Sequence, residues 1–284
     1  MILGRLKALC AVKCFGWAQG AHVIERLDRR SRVSRETSAF YEDRNPGRPG
    51  KGASGALLCR KGCQRRQSIL QCLSMLTRQA VRELLAPFNA GLPDEGIESL
   101  LEYLGLLLRW NQKINLTSIR TPEECITRHF GESFLMANVV PPCGRLLDIG
   151  SGAGFPGLAI KLLAPDLEVV LLEPVAKKRA FLKEVARACG MGRVSVLGSR
   201  AEEFSRTGES GSFDIVTLRA VGGLRSLVPA AASLLKPGGH LCLWVGSQQV
   251  AEISKMDAEF QWLEPVPIPL SQERKILVGK IRRH

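Results

Sequence analysis

The chain has 284 residues, 45% of them hydrophobic, enough for one sizeable core with a small extra unit. Its net charge of +13 is uneven: residues 1–74 hold 15 Lys and Arg against 5 Asp and Glu, whereas residues 75–284 hold 25 against 22. Nucleic-acid binding by the mildly basic globular part must therefore rest on local sites, and no apolar run reaches the roughly 18 residues that a membrane span needs.

The nine cysteines complete no familiar zinc spacing, so no metal is expected. Their odd number fits a reducing, cytoplasmic compartment, where the sequon Asn115-Leu116-Thr117 goes unused. Residues 1–74 lack sustained periodicity and contain a turn-rich run over 45–52. They read as a basic, disordered extension upstream of a natural start at Met75, a reading preferred here over a transit peptide.

Residues 75–140 are expected to be helical. Leu76, Val81, Leu84 and Leu85 form one amphipathic pattern. After Pro93-Asp94, a second pattern runs from Ile97 through Leu100, Leu101, Leu104, Leu107 and Leu108 to about Trp110. A third spans about 122–138, with Thr121 as N-cap and Glu124 three residues on. Pro141-Pro142 ends this part.

From residue 144 the pattern alternates. Strands are predicted at 144–149, 168–173, 194–199, 213–218, 239–245 and 274–281, with a weaker one near 262–268 that forms a closing edge hairpin. Helices are predicted at 156–163, 176–189, 224–235 and 248–259. This order implies an α/β fold with a mostly parallel sheet covered on both faces, over 141–284.

The first strand runs into Asp148-Ile149-Gly150-Ser151-Gly152-Ala153-Gly154-Phe155-Pro156-Gly157. Gly150, Gly152 and Gly154 can take φ > 0 and let a ligand touch the backbone, and Pro156 suits the first helical position. Gly152-x-Gly154-x-x-Gly157 matches the dinucleotide fingerprint, and Glu173 stands at the end of the next strand. Three readings follow: NAD, S-adenosylmethionine (SAM), or a plain tight turn. The chain after residue 246 is short for the second half and separate catalytic domain of a dehydrogenase, which favours SAM.

On these motifs the sequence resembles the bacterial 16S rRNA guanine-N7 methyltransferases, the glucose-inhibited division protein B family. The resemblance covers about residues 76–281. It is carried by the stretches 108–118 (with Trp110-Asn111 and Asn115-Leu116-Thr117), 128–133, 148–157, 172–182 and 200–203, and by Arg219-Ala220. One departure is Glu132, where the family usually has Asp. The resemblance implies a class I SAM-dependent methyltransferase, Rossmann-like with a seven-stranded sheet, under a small N-terminal helical cap. It implies transfer of a methyl group from SAM to N7 of one guanine of 16S rRNA, nucleotide 527. The substrate would be naked rRNA or the 30S subunit and its assembly intermediates, and the enzyme a monomer without membrane contact. A non-catalytic nucleotide-binding assembly or division factor is the alternative.

The chemistry agrees with the residues present. Guanine N7 carries a lone pair on its exposed edge and needs no deprotonation, so alignment and electrostatics suffice. Roles then follow by resemblance. Asp148, Gly150, Ser151, Gly152, Gly154 and Phe155 would shape the cofactor loop, Glu173 would take the ribose hydroxyls, and Ala201 and Glu202 would lie near the adenine. Arg219, Arg200, His129 and Asn115 are the catalytic candidates, with Arg219 also touching the cofactor. Arg128, Lys177, Lys178 and Arg200 are the RNA-binding candidates.

Overall fold

Thr77 opens the first helix by accepting the amide of Ala80 on its hydroxyl, 3.1 Å away. Helix α1 (Arg78–Leu85) buries Val81 and Leu85. Helix α2 (Asp94–Asn111) carries Asp94 and Glu95 in its first turn and Arg109 in its last, as the helix dipole favours. It buries Ile97, Leu100, Tyr103, Leu104 and Leu107 along one stripe. The structure is a computed structural model and describes residues 76–256 and 259–282. The extension read over 1–74 lies outside the described residues.

The third helix, α3, is one continuous rod of changing pitch: α-helical at Pro122–Glu124, π-helical at Cys125–Gly131, α-helical again at Glu132–Phe134, and 3-10 at Leu135–Asn138. Its Thr121 cap is as the sequence predicts, with the Glu124 amide 3.3 Å from the hydroxyl. The wide π segment was not predicted. Gly131 allows it to lie against α1's neighbour Phe88, since a Cβ there would fall 2.4 Å from the phenyl ring.

The sheet has eight strands: β1 (Arg145–Ile149), β2 (Glu168–Leu172), β3 (Val194–Leu197), β4 (Phe213–Arg219), β5 (Leu235–Gly246), β6 (Phe260–Trp262), β7 (Val266–Pro267) and β8 (Arg274–Ile281). Their order is β3-β2-β1-β4-β5-β8-β6, with β7 also on β8. Strands β1 to β5 are mutually parallel, and β8 runs antiparallel to β5. The crossover helices are α4 (Gly157–Leu163), α5 (Ala176–Ala188), α6 (Ala201–Phe204) and α7 (Leu224–Leu234), and α8 (Ser247–Ile253) follows β5.

Alternate strand residues serve opposite faces. Leu146, Val169, Leu171 and Ile215 join one core with α2, α3, α4 and α5, while Leu147, Val170, Leu172 and Val216 join the other with α6 and α7. This is the three-layered α/β arrangement expected from the alternation, a mostly parallel sheet covered on both faces.

Three expectations change. The sheet has eight strands because the weak 262–268 segment divides into β6 and β7 around Leu263–Pro265, which does not pair as strand. The last helix ends at Ile253, well short of residue 259. Pro156 stands at the N-cap and the helix begins at Gly157. The four-residue α6 was also not predicted.

Candidate active site

Strand β1 lies between β2 and β4, and the chain reverses its order of addition there. Such a switch point opens a crevice at the carboxyl ends of the strands. Asp148, near the end of β1, is 1% exposed and accepts from Thr217 Oγ1 on β4 at 2.8 Å and from the Gly157 amide at 3.2 Å. It thereby ties β1, β4 and the start of α4 together. Burial pushes its carboxyl up to about 6.

The glycine turn follows. Gly150, Gly152 and Gly154 all have positive φ, but they meet different neighbours. A Cβ on Gly154 would come within 2.3 Å of Tyr103 Oη, so this glycine makes room for a protein side chain. Gly152 faces open space, its nearest obstacle 3.7 Å away. Its amide donates to Glu173 Oε2 at 2.9 Å, and Val175 N–H donates to Glu173 Oε1 at 2.8 Å. Glu173, 3% exposed, thus braces the turn from the end of β2.

Phe155 is clasped between two rings. Tyr103 of α2 stacks on it at 5.3 Å and 5°, and His129 of α3 at 4.6 Å and 14°. The Tyr103 hydroxyl donates to the Ala153 carbonyl. His129 Nε2 meets Thr117 Oγ1 at 2.8 Å, while Nδ1 is buried without a hydrogen-bond partner. Burial and the neighbouring Arg219, Arg128 and Arg274 pull His129 down to about 3, so its imidazole is neutral.

Arg219, at the end of β4, is largely buried and bound to α3. It donates to Glu132 Oε2 at 2.8 Å, to the carbonyls of Arg128 and His129, and to Ser133 Oγ. Both carbonyls belong to the π segment, and that of His129 also accepts from the Glu132 amide and the Ser133 hydroxyl. Glu132 also receives Arg274 of β8 on Oε1 at 2.8 Å, and its own carbonyl accepts from Trp244 Nε1 at 3.0 Å. Burial raises the Glu132 carboxyl and the three arginines oppose that rise; burial lowers Arg219 to about 10.

These groups surround a cavity of about 470 Å³, a size suited to a nucleoside-like ligand. Its wall includes Gly150, Ser151, Gly152, Phe155, Arg128, His129, Lys178 and Arg219 from the sequence-derived candidates. The others lie off the wall. Gly154, Asp148 and Glu173 support it from behind. Lys177 is exposed, as is Arg200 at the start of α6, whereas Ala201 is buried and Glu202 half-buried. Asn115 is exposed and away from the cavity. The reason is Asn111: its side chain accepts the amides of Leu116 and Thr117 and donates to the carbonyls of Thr117 and Ile119, folding the loop so that Leu116–Ile119 form the wall.

Sequence reasoning missed Asn111, Tyr103, Trp244 and Arg274 as parts of the site. Asn111 stood in the quoted Trp110-Asn111 motif, and Glu132 was noted only as a departure. The wall therefore holds four cations, Arg128, Lys178, Arg219 and Arg274, against one acid, Glu132. That balance suits an anionic ligand.

Against known families, the model described as rRNA small subunit methyltransferase G matches residues 96–276. The chain belongs to that family. A protein of Desulfitobacterium hafniense (strain Y51) named Ribosomal RNA small subunit methyltransferase G is 40% identical over 184 residues, 64% of this chain and 74% of that one. One of the same name from Stenotrophomonas maltophilia (strain K279a) is 38% identical over 188 residues, 64% of this chain and 87% of that one. A third, from Halorhodospira halophila (strain DSM 244 / SL1), is 35% identical over 207 residues, 72% of this chain and 97% of that one. Membership in the methyltransferase G family decides between the cofactor readings in favour of S-adenosylmethionine. The residues fit it: an open turn at Gly152 and a buried carboxylate beside that turn. No described helix is long and apolar enough to cross a membrane.

Proposed function

We propose that this chain methylates N7 of one guanine in small-subunit ribosomal RNA, nucleotide 527 of 16S rRNA by resemblance. S-adenosylmethionine, when bound, supplies an electrophilic methyl group. Gly150, Ser151, Gly152 and Phe155 would hold its amino-acid part, and Glu173 its ribose. Ala201 and Glu202 would flank the adenine. Arg128 and Lys178 at the wall, with Lys177 and Arg200 outside it, would meet RNA phosphates. Substrate rRNA is taken up naked or within the 30S subunit, and the enzyme acts as a cytoplasmic monomer.

The observation that carries the N7 assignment is the state of the two wall groups that could act as bases. His129 is neutral but stacked and hydrogen-bonded through Nε2, with Nδ1 buried. Glu132 is engaged by two arginines. Neither is poised to take a proton from a substrate, which suits an acceptor that has none to give. What the chain supplies is a pocket whose groups are held in position.

The product gives the test. N7-methylguanine is cationic and its glycosidic bond is labile, so reduction and aniline treatment cleave the RNA there. One cleavage signal in 16S rRNA should vanish when the gene is deleted and return with the wild-type chain. An unchanged pattern in the deletion strain would exclude the reaction.

A further inference from the structure

The hairpin between β7 and β8 has no role in the reading above, and its tip carries an unusual residue. Leu270 is 73% exposed, well above the other large apolar side chains at the described surface. Its φ is +60°, in the left-handed region where a leucine is strained. An unrestrained loop would relax such a residue. Here the tip is held on both sides: Ile268 N–H donates to the Arg274 carbonyl at 3.1 Å, Ser271 N–H to the Ile268 carbonyl at 3.2 Å, and Arg274 donates through its amide and Nε to Ser271 Oγ. Below the tip, Val266 and Pro267 pair with Ile276 and Lys275.

The position of the hairpin gives this exposure a meaning. Its two feet, Ile268 and Arg274, both line the cavity, and Arg274 is locked to Glu132. Leu270 therefore stands on a braced support that rises from the cavity wall, two residues beyond Ile268 and four before Arg274. Guanine N7 in an A-form helix faces a deep, narrow groove that protein elements do not enter. A guanine whose N7 is to reach into this cavity has to leave its stack, and its departure opens a gap between the neighbouring bases. Apolar side chains fill such gaps.

We propose that Leu270 is a wedge for RNA, entering the base stack of the substrate in the place of the guanine drawn into the cavity. This rests on the proposed rRNA methyltransferase reading and adds to it the surface that opens the substrate. The residue is a positioning residue, acting on the neighbours of the target.

Leu270→Gly is the informative variant, because glycine accepts φ +60° and the hairpin keeps its shape. The variant is compared with wild type and Leu270→Met on whichever of naked 16S rRNA and 30S particles the wild type methylates. Three quantities are read: kcat/KM for RNA, the affinity for S-adenosylmethionine, and the 2′-hydroxyl acylation reactivity of nucleotides flanking the target. Wild type should raise that reactivity on binding. Leu270→Gly should lose the rise and about tenfold or more in kcat/KM, the scale of one lost stacking contact, with cofactor affinity unchanged; Leu270→Met should retain most of both. A glycine variant with wild-type kcat/KM overturns the wedge. So does a slow glycine variant that still raises the flanking reactivity, which would place Leu270 against a ribosomal protein, or a wild type that leaves the flanks unchanged. A wild type that transfers no methyl group to either substrate defeats the underlying reading itself.

Discussion

Glu132 and Arg219 form an ion pair of 2.8 Å in which the glutamate side chain is 2% exposed and the arginine 13%. The pair joins α3 to the end of β4, and Arg274 binds the other carboxylate oxygen. Removing one member of a buried pair strands the others. Glu132→Ala should cost about 3–5 kcal/mol of stability, and Arg219→Ala a comparable amount. Denaturant titration checks it; a loss under about 1 kcal/mol for either variant would mean that the pair is more hydrated than its burial indicates.

The two central glycines of the turn should separate folding from cofactor binding. Gly154→Ala places a methyl group on Tyr103 Oη at φ +87° and should destabilise the protein by about 3 kcal/mol or more. Gly152→Ala, in open space at φ +55°, should cost only about 1–2 kcal/mol while weakening S-adenosylmethionine binding. Melting curves and equilibrium cofactor binding would show the split.

Asp148 makes stability depend on pH in an unusual direction. Its carboxyl ionises near 3.8 when unfolded and near 6 when folded. Between these values the folded state holds the extra proton, so stability falls as pH rises through the window, by about 3 kcal/mol in all. Asp148→Asn should remove this slope and melt higher than wild type at pH 7. A variant melting below wild type at pH 7 would show that the charged form is better solvated than burial suggests.

His129 acts with the opposite sign. It takes up a proton near 6.5 when unfolded and only near 3 when folded. The unfolded state therefore binds the extra proton below 6.5, and stability is lost as pH falls from there toward 3. His129→Phe keeps a ring on Phe155 and should flatten the acid limb of a plot of Tm against pH. An acid limb as steep as in wild type would assign the loss to other groups.

Asn111→Ala removes four hydrogen bonds to the 116–119 loop and should cost about 2–4 kcal/mol. Exposed Asn115 should tolerate alanine within about 0.5 kcal/mol. Equal effects of the two substitutions on stability would contradict this division.

The parts of the fold that were legible in the sequence are those set by local pattern. Runs such as Leu146-Leu147 and Val169-Val170-Leu171-Leu172 announce strands buried on both faces, and the glycine turn with Pro156 announces the strand-to-helix corner. The π segment was not legible, because Cys125, Ile126, Phe130 and Phe134 suit an ordinary helical stripe equally well. Its partner Arg219, which donates to the His129 carbonyl, lies 90 residues away. The same holds for the ion pair, whose members are 87 residues apart. Asn111 escaped notice because its partners are backbone groups, which leave no mark on side-chain spacing. A four-residue helix such as α6 is too short to show a period.

The clasp on Phe155 bears on how the chain can be divided. Tyr103 and His129, which hold the ring from both sides, belong to α2 and α3, before Pro141-Pro142; the ring itself belongs to the segment after it. The proline pair is thus a border in secondary structure and not in cooperativity. Cut there, the catalytic segment would carry a cofactor loop without its ring partners and a sheet face without its helices. The helical segment, for its part, would present Ile97, Leu100 and Leu104 to water. Neither fragment should fold alone, and unfolding of the intact chain should proceed with the helices and the cofactor loop melting in one transition.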